Sequence, residues 1–334
     1  MKFELPNIVK HQINLILDNK VIHYNEHRDS TSEILDRIKK YSEIEDEFII
    51  LHEHEIISFY FKLESIHDLI DSLDNKIYIQ SSSSNEIYNG VHPLVNVWAW
   101  SRMSGYITTD YFYDDSVAIL FNNNTYSTFD RVNIDNKFVK SIMSSRTATN
   151  QRDYVFNNIN QDDIEINRYI RYTNEEEVFE DVYPNERLST FPNFNELLDE
   201  YYSSIFSFII ETDYFSFHDD QTANMFFRTG PQLSEKTIIP FITGTIPIIL
   251  GQKHLLHDLK EMGFWVANDD FGYSDGDEYI SHIIKGNRFV KCIKNVKELS
   301  FDESTQYWLD NKDKIYNNWN IISTLFNYTN KSLL

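Results

Sequence analysis

The sequence predicts an α/β protein in which helices alternate with short strands, and three observations support this fold class. Apolar residues recur at helical spacing in residues 31–44 and 63–73. Strand-like runs rich in β-branched and aromatic residues stand between and after them, at 48–61, 76–80 and 117–121. Residues 245–250 form a largely β-branched run that is typical of a parallel strand buried on both faces. Alternation of this kind is the pattern of layered α/β domains.

Composition limits the compartment and the class of partner. The 334 residues carry 30 basic and 52 acidic side chains, a formal charge of −22, which disfavours a protein that coats nucleic acid. The single cysteine, Cys292, cannot form an intramolecular disulfide, and the N-terminal residues contain no apolar core of signal-peptide length. We therefore expect a cytoplasmic protein. No window is apolar for 18 residues, so we expect no membrane association.

The chain is long enough for two ordinary domains, and the sequence changes character near its middle. The N-terminal part alternates strand and helix patterns, whereas a polar, acidic section follows residue 146. Seven of the nine glycines then lie between residues 230 and 286, so tight turns are concentrated in that third. We predict an N-terminal α/β domain over residues 1–150 and a C-terminal α/β domain over residues 151–334.

From residue 136 onward, the chain predicts strands and helices in alternation. Residues 136–146 resemble a strand that ends at basic side chains, and 193–205 and 205–212 read as a helix and a strand. The later segments predict a helix, a strand, a helix and a further strand, at residues 235–243, 245–250, 253–262 and 264–267. Residues 303–326 predict one final helix.

The segment SEKTIIPFITGTIPIILG, residues 234–251, predicts an anion-binding helix start. Ser234 is a favoured N-cap residue, and Glu235 places an acid in the first turn. Gly244 supplies the C-terminal stop, and Pro240 inside the helix predicts a kink or an early end. Lys236 lies against the positive end of the helix dipole, which costs about 0.3 to 1 kcal/mol unless an anion is bound there.

The same segment, with the strand before it and the helix after it, resembles the nucleotide-sugar-binding half of GT-B glycosyltransferases. The resemblance covers residues 205–295 and rests on 209-IIET-212, the spaced Glu-Lys, Pro and Gly of 234–251, and the Leu-rich helix ending at MGF, residues 262–264. It is nearest to the α1,3-fucosyltransferase-like branch and to related transferases often encoded by large viruses and phages. That resemblance implies two Rossmann-like domains whose interdomain cleft is the active site, and a last helix that crosses back onto the N-terminal domain. For a viral protein, the compartment would be the host cytoplasm.

The resemblance also implies the residues that bind the donor. Glu235 would hold the ribose of a nucleoside diphosphate sugar, and Lys236 would lie at its diphosphate. A second, weaker similarity over residues 136–159 implies that arginines contact the diphosphate. The full donor-binding set is Glu235, Lys236, Arg146, Arg152, Glu211, Thr212, His218 and Ser234.

The implied chemistry is sugar transfer from the nucleoside diphosphate to an acceptor hydroxyl, with inversion and without a metal or other cofactor. Cationic side chains and a helix N-terminus would stabilise the leaving diphosphate. An inverting reaction needs one general base near the acceptor, which we expect in the N-terminal domain. The candidates are Asp110, Asp114, Asp115 and Glu53. Metal binding is a weaker interpretation of 52-HEHE-55 and 275-DGD-277, because strand alternation separates the first motif onto two faces and three-residue acidic motifs recur by chance.

Two other functions stay open from the sequence. A phage-type DNA glycosyltransferase of the same architecture would use a basic stripe formed by Lys137, Lys140, Arg146 and Arg152. A protein that binds a nucleotide sugar or a glycan without catalysis would keep the fold and the donor site alone. The acceptor is therefore expected to be a glycan or another hydroxyl compound, with DNA as the alternative.

Overall fold

The computed structural model confirms a mixed α/β protein with two small sheets of largely parallel strands. It describes residues 3–24, 30–52, 66, 68–79, 91–92, 94–95, 131–146, 150–172, 179–180, 194–211, 235–251, 255–274 and 282–331. The chain divides into two compact units. The N-terminal unit comprises residues 4–118, 228–230 and 328–334, and the C-terminal unit comprises residues 1–3, 119–227 and 231–327.

The N-terminal unit contains a parallel three-stranded sheet in the order β1-β2-β3. The strands are β1, Val21–Tyr24, β2, Glu47–His52, and β3, Lys76–Ile79, and the helices are α1, Asn7–Leu17, and α2, Thr31–Ser42. Helix α2 begins at a capping box, in which Ser30 and Glu33 each accept from the other's main-chain N–H group. Isoleucines of the strands and of α2 pack around Phe48 to form the core of this unit.

The C-terminal unit is built on a five-stranded sheet in the order β6-β5-β4-β7-β8. Its strands are β4, Val139–Arg146, β5, Ile166–Tyr172, β6, Phe179–Glu180, β7, Ser204–Ile210, and β8, Ile246–Leu250. Only β6 runs antiparallel to its neighbour. Strand β4 precedes residue 150 yet lies at the centre of this sheet, because it hydrogen-bonds to β5 on one side and β7 on the other.

Helices precede and follow these strands along the chain, and those near residues 193–205, 235–243 and 253–262 lie where the apolar patterns predict. They are α3, Asn150–Asn157, α4, Phe194–Ser203, α5, Glu235–Thr243, α6, Leu255–Glu261, α7, His282–Glu298, α8, Phe301–Asp310, and α9, Lys312–Lys331. Every residue of β7 and β8 is buried, which for β8 confirms the prediction of a strand covered on both faces. The single helix predicted over 303–326 is instead two helices that are separated at Asn311. No described helix is long and apolar enough to cross a membrane.

The predicted strand at 264–267 is wrong, because side-chain amides replace the neighbouring strand that it would need. The side chain of Asn268 accepts from the N–H of Ile249 and donates to its carbonyl, which covers the outer edge of β8. The side chain of Asn318 does the same for the main chain of Trp265. A buried edge must have its main-chain groups satisfied, and here two asparagines and a single main-chain bond, from the N–H of Ala267 to the carbonyl of Pro247, do so without a strand ladder.

Candidate functional site

The strand order of the C-terminal unit reverses between β4 and β7. From β4 the chain proceeds through α3 to β5 on one side, while β7 and then β8 lie on the other side. In open α/β sheets, ligands bind outside the carboxyl ends of the strands at such a reversal. We therefore expect a ligand site at the carboxyl ends of β4 and β7.

The two strands separate at these ends. Their ladder runs from Val139↔Ser204 to Met143↔Phe208, although β4 continues to Arg146 beside β5 and β7 continues to Ile210 beside β8. The N–H of Glu211 then donates to Leu250 of β8 at 2.8 Å. Successive residues of a strand direct their main-chain groups to opposite neighbours. Because Glu211 bonds to β8, the carbonyl of Ile210 points toward β4. The ladder between β4 and β7 therefore ends before the last residues of either strand, and we call the place between those residues the crevice.

Arg152, in the first turn of α3, closes the base of this crevice. Its Nε donates to the carbonyl oxygen of Ile210 at 3.1 Å, in the place that a β4 amide would otherwise occupy. The side chain is only 1% exposed. The arginine predicted to contact a diphosphate is thus placed at the crevice, where it holds the end of β7 and does not face solvent. A planar guanidinium suits this role because its fork of donors can serve several oxygens at once.

Glu211 and Thr237 connect the end of β7 to the start of α5. The hydroxyl of Thr237 donates to Oε1 of Glu211 at 2.5 Å, and both residues are buried, at 0% and 3% exposure. Thr237 is the third residue of α5, so the carboxylate lies beside the first turn of that helix. A hydrogen bond to a carboxylate is stronger than one between neutral groups, and a negative charge is favoured near a helix N-terminus.

This carboxylate corrects one step of the sequence argument about Lys236. The lysine in the first turn was expected to be unfavourable in the absence of a bound anion, but Glu211 supplies a negative charge at that same helix end. A phosphate is therefore not needed to explain why a lysine is tolerated there. Lys236 itself is half-buried, and among the described side chains at this edge the two cations Lys236 and Arg152 outnumber the one carboxylate.

The structure places the remaining predicted donor residues as follows. The main chain of Glu235 begins α5, and that of Arg146 ends β4, but neither side chain is described. Both residues therefore border the same crevice through their main chains. Outside the described residues lie Thr212, His218 and Ser234, and also the four candidate bases Asp110, Asp114, Asp115 and Glu53.

The predicted basic stripe is not present as an exposed surface, because three of its four members bind main-chain oxygens. Lys137 is 4% exposed and donates to the carbonyls of Tyr201 and Thr243. Lys140 donates to the carbonyls of Lys297 and Leu299 at the end of α7, and Arg152 to Ile210. A surface that tracks phosphates needs exposed cations, so these three residues do not provide one.

Two polar residues at the carboxyl ends of strands were not identified from the sequence. Thr237 resembles any threonine in a helical pattern, and only its contact with Glu211 distinguishes it. In the N-terminal unit, His92 follows Val91, whose main-chain N–H donates to the carbonyl of Ile79, the last residue of β3. No spacing pattern in the sequence singles out either residue.

His92 is held in a defined hydrogen-bonding state. Its main-chain N–H donates to Oε1 of Gln12 at 2.8 Å, and its ring Nδ1 accepts from the N–H of Leu94 at 3.1 Å. An Nδ1 that accepts leaves the proton of the neutral ring on Nε2. Burial lowers the pKa of His92, which also favours the neutral form. The ring is therefore set up to donate from Nε2.

Among the described residues, no group of three or more histidine, cysteine, aspartate or glutamate side chains could hold a metal ion. The motif 275-DGD-277 and the greater part of 52-HEHE-55 lie outside the described residues. Comparison of the chain with models of known protein families, with curated proteins and with solved structures gives no match.

Proposed function

We propose that the protein is a glycosyltransferase that takes a sugar from a nucleoside diphosphate, with the diphosphate bound in the crevice between the carboxyl ends of β4 and β7. The observation that carries this proposal is that five of the donor residues implied by the resemblance border one place in the sheet. Arg146 ends β4, Arg152 begins α3, Glu211 follows β7, and Glu235 and Lys236 begin α5. All five are residues that the resemblance to GT-B glycosyltransferases implies, and they are separated by up to about 90 residues in the chain.

The chemistry of the crevice suits a leaving diphosphate. In the proposed reaction, the acceptor oxygen bonds to the anomeric carbon while the bond from that carbon to the β-phosphate oxygen breaks. The acceptor proton passes to a carboxylate base, and the nucleoside diphosphate departs with its added negative charge. The N–H groups at the start of α5 and the ammonium of Lys236 would stabilise that charge. In this proposal Asp110, Asp114, Asp115 and Glu53 stay the candidates for the base, and inversion follows from direct displacement.

The alternatives fit the described residues less well. DNA glycosylation needs a cationic surface, whereas Lys137, Lys140 and Arg152 bind carbonyls within the C-terminal unit. A protein that only binds nucleotide sugars would use the same crevice. Assays of sugar transfer and donor hydrolysis are therefore needed to distinguish binding from catalysis.

The first experiment is a thermal-shift panel with UDP-, GDP-, CDP-, ADP- and dTDP-sugars on the full chain, followed by assays of sugar transfer and donor hydrolysis. At least one donor should raise the melting temperature. Lys236→Ala should weaken binding of that donor by about 10- to 100-fold, since hydrogen bonds to charged groups contribute about 1.5 to 3 kcal/mol. Lys294→Ala, at an exposed position on α7, is the matched control and should bind normally.

Three outcomes would count against the proposal. A folded protein that responds to none of the donors has no such site. Equal binding by the Lys236 and Lys294 variants would place the donor elsewhere. Tight donor binding with neither transfer nor slow hydrolysis would favour the non-catalytic binding protein.

A further inference from the structure

The last two residues of β7 attach both helices that flank the crevice. Ile210 accepts from Arg152 of α3 through its main-chain carbonyl, and Glu211 accepts from Thr237 of α5 through its side chain. The first contact is made in the plane of the sheet by a main-chain group, and the second is made by a side chain that extends from the sheet. A displacement of β7 would therefore also displace the N-terminal ends of α3 and α5.

The contact with α5 is the more informative of the two. Thr237 follows Lys236 directly, and its hydroxyl is fully buried, so the position of the first turn depends on where Glu211 holds it. The first turn of a helix has no preceding turn to fix it, and its free N–H groups move with the helix start. A short bond between two buried side chains removes that freedom before any ligand binds.

We propose that Glu211 and Thr237 are positioning residues, which set the first turn of α5 so that its N–H groups and Lys236 meet the diphosphate in one geometry. This inference rests on the proposed function and reassigns Glu211 from a direct ligand to a support. Pre-organised donors bind an anion without the cost of ordering the loop at the moment of binding. The pair contributes to affinity although neither residue touches the donor.

The chain offers a close control for the test. Thr237→Val removes the hydroxyl and keeps the shape, whereas Thr237→Ser restores the hydroxyl. Thr243 is equally buried at the other end of the same helix, about 9 Å away at 1.5 Å per residue. Its hydroxyl bonds to the carbonyl of Ile239, so Thr243→Val lowers stability without changing the first turn.

Two readouts are needed: the dissociation constant for the nucleoside diphosphate of the best donor, and amide hydrogen exchange in α5 without ligand. Thr237→Val should weaken nucleotide binding at least about tenfold and speed exchange in the first turn of α5. Thr237→Ser should recover most of the affinity, and Thr243→Val should keep wild-type affinity within about twofold. The wild-type exchange pattern at the start of α5 should match that of Thr243→Val.

The outcomes separate the two proposals. If wild-type protein binds no nucleotide but Thr237→Val still speeds exchange at the first turn alone, the proposed function fails, and what stands is only that Glu211 and Thr237 fix the first turn of α5. If wild-type protein binds nucleotide and Thr237→Val binds equally well, or Thr237→Ser fails to restore affinity, the positioning role is wrong. Equal losses of affinity in Thr237→Val and Thr243→Val would show a general effect of stability and would also overturn it.

Discussion

The side-chain nitrogen of Lys137 lies 3.2 Å from the main-chain oxygen of Thr243, inside the C-terminal unit. The same nitrogen lies 3.3 Å from the carbonyl of Tyr201 and 3.3 Å from the hydroxyl of Thr245. One ammonium therefore meets the C-terminal ends of α4 and α5, where carbonyl groups lack helical partners and a positive charge is favoured. The contact is at the amino end of β4, away from the crevice.

Shortening this side chain should destabilise the C-terminal unit. Lys137→Ala leaves a cavity and removes the donor to Thr243, so we expect the free energy of unfolding to fall by about 3 kcal/mol. Lys137→Met fills the same space without a buried charge and should stay within about 1 kcal/mol of wild type. Chemical denaturation followed by tryptophan fluorescence measures both. Equal losses in the two variants would mean that the ammonium hydrogen bonds, and not packing, dominate.

The stability of the protein should rise with pH through this lysine. Burial lowers the pKa of Lys137 to about 7, below its value of 10.5 in the unfolded chain. Between these values the unfolded state binds more protons, so the free energy of unfolding increases by up to about 1.4 kcal/mol per pH unit, whereas below pH 7 this contribution is flat. The measurement is the difference in stability between wild type and Lys137→Met from pH 6 to pH 9. A difference that does not change with pH contradicts the prediction.

Acid should weaken the N-terminal unit through Glu47. Burial raises the pKa of Glu47, but hydrogen bonds from His11, Lys76 and Tyr78 outweigh it and lower the pKa to about 2. The folded pKa lies below the unfolded value, so this stabilisation is complete above about pH 4.5 and is lost as the pH falls toward 2.

The matching variant is Glu47→Gln, compared with Glu43→Gln at an exposed position. Because His11 and Lys76 are about half exposed, solvent screens the pairs and the loss should be only about 1 kcal/mol at pH 6. Unfolding curves at pH 6 and pH 3 should show that the gap between wild type and Glu47→Gln narrows in acid. The prediction is wrong if the difference in stability between wild type and Glu47→Gln is the same at both pH values, or if Glu43→Gln shows the same narrowing.

Two glycines with similar backbones should respond differently to alanine. Gly244, after α5, has φ of 65°, and a Cβ there would lie 2.0 Å from Cγ1 of the buried Val132. Gly272 has φ of 88°, with no atom within 4 Å of its added Cβ. Gly244→Ala combines left-handed strain with overpacking and should cost about 3 kcal/mol, whereas Gly272→Ala should cost about 1 kcal/mol. Denaturation of the two variants measures both losses of stability. Equal losses would show that the contact of the added Cβ with Val132 has no effect.

The ring of His92 should be neutral at pH 7, with its proton on Nε2. Nitrogen NMR chemical shifts of the imidazole distinguish the two tautomers and follow the titration. We expect the Nε2–H form and a pKa below the usual value of 6.5, since burial disfavours the charged ring and protonation of Nδ1 would break its bond with Leu94. A ring protonated on Nδ1 at neutral pH would be the opposite result.

Much of the C-terminal unit could be predicted from short-range patterns. The helix predicted over 235–243 is α5, with the same bounds, and Gly244 ends it in the left-handed conformation that glycine adopts without strain. The apolar run of β8 predicted a buried parallel strand and that of β7 predicted a strand, and the structure contains both. These features depend on neighbours within a few residues, so the chain determines them locally.

Partners distant in sequence could not be predicted. The strand pattern at 264–267 reads as a strand, but Asn268 and Asn318 satisfy the main chain there, and no local rule indicates that a side chain will replace a ladder. The basic residues Lys137 and Lys140 read as a surface stripe, but carbonyls more than 60 residues away bind them. Burial and hydrogen bonding are decided when the whole unit folds, because the penalty for an unpaired group depends on what surrounds it.

The sequence by itself determined the α/β class, the bounds of α5 and the segments that border the crevice, because periodicity and capping act over one or two turns. Only the tertiary structure decided which contacts those segments make with one another. It separates β4 from β7, inserts Arg152 between them, and brings the carboxylate of Glu211 to Thr237 across 26 residues of chain. Such contacts depend on which strand lies beside which, and strand order is a property of the folded sheet that no short stretch of sequence encodes.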